Sequence, residues 1–87
     1  MKRRLLIDST VLEFLGRLRK RERGFLLARF ETIRDFPARH VVDCRHRDEN
    51  GRDLDGHIAG RFAIVFWDDF TDRHLKIMGV TWADEVI

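Results

Sequence analysis

Pro37 is the one proline in the chain, and the spacing of apolar residues changes period across it. Before it, Val11, Leu12, Leu15 and Leu18 recur at helical intervals. Leu26, Phe30 and Ile33 form a second helical stripe, broadened by Phe25, Leu27 and Phe36, which Pro37 ends because it lacks a backbone N–H. After Pro37 the pattern alternates. Val42, Cys44 and His46 fall on one face of a strand, with Val41, Asp43, Arg45 and Arg47 on the other. A chain with helices first and strands afterwards is expected to be α+β rather than a doubly wound sheet.

The boundaries follow from local chemistry. Arg3 to Ile7 reads as a short strand, and Asp8-Ser9-Thr10 supplies helix-starting oxygens. Thr10 and Glu13 have the spacing of a capping box, so a first helix is expected from about Thr10 to Arg19. The cluster Arg17-Leu18-Arg19-Lys20-Arg21-Glu22-Arg23 suits the C-terminal end of that helix, where the dipole favours cations, and a tight turn into an antiparallel second helix. Asn50-Gly51 is a hairpin signal, since both residues tolerate positive φ. A third strand is expected over about Asp53 to Ala59, with Leu54, Gly56 and Ile58 on one face, and Gly60 breaks it. Arg61 to Trp67 and Arg73 to Trp82 complete the set, with the turn Asp68-Asp69-Phe70-Thr71-Asp72 between them. The expected fold is a two-layer α+β domain in the order β-α-α-β-β-β-β. A helical hairpin packs on one face of a mainly antiparallel five-stranded sheet.

With 87 residues the chain is read as a single domain, 1–87. A domain this small buries roughly 65% of its extended surface, enough for one modest core. No run of about 18 apolar residues is present, so no spanning helix and no membrane partner are expected. The single cysteine makes no internal disulfide, which fits a reducing cytoplasmic compartment. Charge is uneven: residues 1–39 hold eleven Lys/Arg against five Asp/Glu, residues 40–87 six against ten. Fourteen of the seventeen cations are arginine, whose fork suits phosphate or carboxylate. The basic half fits either an anionic partner or a solvated helix face.

Helices on one side leave the other sheet face to be polar, and the last two strands break that rule. Phe62, Ile64, Phe66, Leu75 and Ile77 account for the helix side. Strict alternation then puts Val65, Trp67, Met78, Val80 and Trp82 on the opposite face, rimmed by Arg61, Lys76 and His74. Since one tryptophan buries about 150–250 Å², that set is expected to form an apolar, partner-binding patch of several hundred Å². A twisted sheet or a folded-back tail is the alternative cover.

Three segments together carry a family resemblance: the helical hairpin ending Asp35-Phe36-Pro37, the stretch Gly60-Arg61-Phe62-Ala63-Ile64-Val65-Phe66-Trp67-Asp68, and the closing Leu75-Lys76-Ile77-Met78-Gly79-Val80-Thr81-Trp82-Ala83-Asp84. The chain resembles the RelE/ParE superfamily of toxins from bacterial type II toxin–antitoxin systems, its last strand looking like that of plasmid-stabilisation members. The resemblance implies a small cytoplasmic toxin wrapped by a cognate antitoxin protein. Oligomers through that antitoxin, or a homodimer, are the assemblies the resemblance implies. Two kinds of target are implied, the ribosome with its mRNA and DNA gyrase, and a non-toxic relative is a third reading. Cleaving members carry an arginine just after the aromatic that opens the fourth strand, which here is Ala63, and a basic residue or tyrosine near the C-terminus. This chain has no tyrosine and no cation in Ala83-Asp84-Glu85-Val86-Ile87. The RNA-cleaving pattern is therefore not intact, and Arg61 and Lys76 are the candidate catalytic residues.

RNA cleavage needs a base, an acid and phosphate-steadying cations. Arg45, His46, His57 and His74 join Arg61 and Lys76 as residue types able to supply them, though no spacing ties them together. His40, Asp43 and His46 are three apart, but on a strand residues 43 and 46 face opposite ways, so no metal site and no cofactor are expected. Cys44 reads as a small buried thiol beside Val42. Trp67 and Trp82 would stack nucleobases only within a dense basic groove.

Overall fold

A computed structural model describes residues 3–37, 44–47 and 49–85. His40, Val41, Val42, Asp43, Asp48, Val86 and Ile87 lie outside them, as do the side chains of Cys44 and His46, so the expectations placed on those groups stay at the level of sequence. The elements are β1 (Arg4–Ile7), α1 (Ser9–Gly16), α2 (Lys20–Asp35), β2 (Cys44–Arg47), β3 (Asp53–Ala59), β4 (Phe62–Asp69) and β5 (His74–Trp82), closed by a 3-10 turn over Ala83–Glu85. The α+β class and the order β-α-α-β-β-β-β are as expected.

The sheet runs β1-β5-β4-β3-β2. β1 pairs parallel to β5, while β5, β4, β3 and β2 pair antiparallel in turn. Only a crossover can join parallel strands, and the helical hairpin lies within the long one from β1 to β5. α1 packs against β5, and α2 against β1 and β5. Val11, Leu15 and Leu18 from the first helix and its turn meet Leu26, Phe30 and Ile33 from the second. The sheet contributes Phe62, Ile64, Phe66, Leu75 and Ile77, as the period-2 reading expects, and all are buried.

Local starts and stops differ instructively from the sequence reading. Asp8, not Thr10, caps α1: its carboxylate accepts from both the hydroxyl and the backbone N–H of Thr10. Those bonds, the hydroxyl's first, hold the Asp8 carboxyl below its ordinary 3.8. α1 stops at Gly16, so the basic cluster does not finish it; Lys20, Arg21 and Arg23 open α2 instead. Arg23 Nη2 donates to Leu18 O at 3.2 Å, satisfying a carbonyl in the turn. Two of the sheet turns use glycine in the left-handed region, Gly51 (φ +79°) and Gly60 (φ +58°). Gly60 holds the first central position of the two-residue Gly60–Arg61 turn, where a type II′ hairpin requires it.

One irregularity redirects β5. Phe66 pairs with Ile77 but Val65 pairs with Gly79, so Met78 is an extra residue, a β-bulge. Parity changes across it. Leu75 and Ile77 face the helices, then Val80 and Trp82 do too, opposite Ile64 and Phe62. Val80 is 7% exposed and belongs to the core; Trp82 packs against it. Strict alternation had put both on the other face. The bulge places Met78 and Gly79 there together and returns the following residues to the core.

This assignment separates two neighbouring substitutions. Val80→Asp buries an uncompensated charge and is expected to cost on the order of 3 kcal/mol or more. Met78→Asp, on the open side of the bulge, is expected to cost less than half as much. Urea unfolding followed by tryptophan fluorescence measures both; equal losses would contradict the parity switch.

Candidate functional site

The open sheet face holds three of the five residues read as a partner-binding patch. Val65, Trp67 and Met78 are on it, all half-buried. Trp67 is flanked by two cations, with the Arg52 guanidinium 4.6 Å and Lys76 Nζ 4.7 Å from its ring centroid. Such contacts are worth about 0.5–2 kcal/mol depending on desolvation. Lys76 Nζ also lies 3.1 Å from Asp69 Oδ2, and the Asp72 backbone N–H donates to Asp69 Oδ1 at 3.4 Å. Lys76 is thus held by an indole and a carboxylate. With Arg52 it sets positive charge over the expected apolar patch on this face. Arg52 gave no sequence signal, because only the fold of its turn carries it to Trp67.

Asp69 is buried against the sheet. Burial alone would raise its carboxyl pKa, but the Lys76 hydrogen bond, the Asp72 N–H and the Lys76 charge together take it below the ordinary 3.8.

The other two residues of the expected patch lie on the helix side, at the opposite end of β4. Trp82 stacks on Phe62 at 5.0 Å between ring centroids and meets Phe14 edge-on at 5.8 Å. Phe25 joins this aromatic group through Phe62, at 6.3 Å. Arg61 sits above it, its guanidinium 5.1 Å from the Trp82 ring and Nη1 3.6 Å from Glu22 Oε2. Arg61 and Lys76 therefore do not converge. Lys76 pairs with Trp67, six residues along the chain from Arg61 in the turn before β4, a separation of roughly 20 Å at the rise of a strand, and their side chains serve opposite faces. His57 is buried on the helix side opposite Ile64, and His74 pairs with Asp69 at the far end of the sheet. Ala63 is buried opposite Thr81. No group of three or more His, Cys, Asp or Glu able to hold a metal occurs among the described residues. No described helix is long and apolar enough to cross a membrane.

Exposed large apolar side chains lie elsewhere: Leu6 on β1, Leu12 on α1, Phe25 and Leu27 on α2, then Phe36 and Phe70. The last two flank a cleft of about 450 Å³ where Arg3 pairs with Asp68 at 2.7 Å and lies 5.3 Å from the Phe70 ring. The helical spacing has Phe25, Leu27 and Phe36 broadening the core stripe. Their partial exposure follows from the helical angle, since Phe25 and Leu27 sit on either side of fully buried Leu26.

No family model matches the sequence, and no curated protein does. Solved structures do. The chain superposes on a chain of the toxin–antitoxin complex RelBE2 from Mycobacterium tuberculosis with a TM-score of 0.75, at 16% identity, covering 94% of this chain and 99% of that one. It superposes similarly on a chain of the archaeal RelE–RelB complex from Pyrococcus horikoshii, with a TM-score of 0.73, 17% identity, and 94% and 96% coverage. The protein has the fold of these chains over 94% of its length.

The Asp69 contacts give a pH signature. A carboxyl lowered in the folded state adds stability above its unfolded value and loses it as pH falls through the folded one. Asp69→Asn is therefore expected to lower Tm near pH 7, and the gap to the parent should close below about pH 4. Melting curves from pH 2.5 to 7 check this; a gap unchanged at pH 2.5 would refute the assignment.

Proposed function

We propose that this chain is the toxin component of a type II toxin–antitoxin module, acting through protein binding in the cytoplasm. The observation that carries the reading is the near-complete overlap, in both directions, with chains from two toxin–antitoxin complexes. A second property supports it: apolar side chains remain on the outer flanks of both helices, where an antitoxin segment would cover them. Of the two targets, a protein such as DNA gyrase requires a surface of this kind and no chemistry. Messenger RNA cleavage requires acid, base and cations around one phosphate. Arg61 and Lys76 stand far apart on different faces and Lys76 is engaged by Asp69 and Trp67; the resemblance also implies that Ala63 stands where cleaving members carry an arginine.

Induced expression of the chain alone is expected to arrest growth, and co-expression with the product of an adjacent small reading frame to restore it and yield a stable complex. Purified protein added to translating ribosomes should leave mRNA intact while inhibiting gyrase supercoiling. Cleavage that falls at least tenfold in Arg61→Ala would replace this reading with the nuclease one. Normal growth together with complex formation would mark a non-toxic relative.

A further inference from the structure

Between the first turn of α2 and the β3–β4 turn lies an open hollow of about 270 Å³, walled by Phe25, Phe62 and Gly60 and rimmed by Arg21, Glu22 and Arg61. Its floor is almost wholly apolar. Phe25 remains 40% exposed although it lies directly over Gly60, where an added Cβ would come within 3.4 Å of Phe25 Cζ. The left-handed glycine thus lets the ring lean over the turn and keeps the hollow open.

The charge around this hollow is unfavourable to the chain itself. Lys20, Arg21 and Arg23 occupy the first turn of α2, where the helix dipole is already positive, against a single carboxylate, Glu22. Arg19 at the N-cap gives no side-chain hydrogen bond to the open N–H groups. Glu22 is shared with Arg61 across 3.6 Å, and the Arg61 side chain is 76% exposed, so this ion pair exchanges readily with another carboxylate. Arg23 bonds the Leu18 carbonyl and Arg61 shares Glu22, but the excess of positive charge at this helix end still costs stability, and a partner that supplies negative charge would relieve it.

We infer that this hollow is a docking site for an acidic peptide segment of a partner protein that carries one large apolar side chain. The apolar side chain enters between Phe25 and Phe62, and flanking carboxylates pair with Arg21 and Arg61. For the source of the segment, the inference rests on the protein-binding reading above. Growth arrest tests that reading and peptide titration tests this one, so either can fail alone.

The test is an amide NMR titration of the full chain with blocked Glu-Glu-Leu-Glu-Glu, against blocked Lys-Lys-Leu-Lys-Lys and Glu-Glu-Ala-Glu-Glu as controls. Saturable shifts at Phe25, Gly60, Arg61 and Phe62 are expected with the first peptide, weakening as salt rises, and much smaller ones with the controls. Arg21→Glu with Arg61→Glu should lower its affinity about tenfold or more. Both residues are exposed, so folding should survive. Arg21→Glu alone should raise Tm while weakening binding, which separates docking from damage. Equal response to the basic peptide, shifts centred on Trp67 and Met78, or no saturable shift would overturn the inference. So would concentration-dependent shifts at the same residues without peptide, which would make a second copy the occupant.

Discussion

The bulge at Met78 determines what each face of this protein is. Without it, β5 would alternate to its end and present Val80 and Trp82 away from the helices. The helix side would lose two large apolar side chains beside Phe62 and Ile64, and the open face would gain a tryptophan with nothing to cover it. With it, Phe14, Phe25, Phe62 and Trp82 gather at one end of the core. Burial drives the choice: two residues of this size contribute several kcal/mol when withdrawn from water, more than one irregular rung in a ladder costs.

The same displacement divides the cations between two kinds of work. On the open face Lys76 and Arg52 lie over Trp67, and Asp69 fixes the lysine. These charges are used internally. At the other end, Arg61 leans on Trp82 while keeping most of its surface in water, and the cations of α2 crowd beside it. The first cluster stabilises the sheet; the second leaves positive potential over an apolar hollow. The sequence's uneven charge thus has a location, the joint between the two helices, which net charge alone does not reveal.

Much of the fold was legible in the residues. The turn from helices to strands after Pro37, the stripe Leu26/Phe30/Ile33 and the alternation Phe62/Ile64/Phe66 each depend on local geometry, and each emerged as read. The face of Val80 and Trp82 did not, because a bulge is a property of two strands together; Gly79 inside a strand pattern is the one local sign of it. The cap was misplaced by two residues, since Asp8 and Thr10 are both competent and the backbone chose the aspartate. The basic cluster was assigned to the wrong helix because Gly16 was not read as a stop. Arg52 and Phe25 were missed as surface features for opposite reasons: one lies in a turn whose path has no sequence code, the other looks like core.

β1 finds its partner in residues 74–77, across almost the whole chain. During synthesis β1 therefore waits, unmatched, until residues 74–77 have been made. A message cut short, or a ribosome stalled before that point, yields a product whose sheet has no closing rung and whose crossover has nothing to lie against. The parallel rung is thus the last in the order of synthesis, and the crossover gains its full support only when every other described strand has been made.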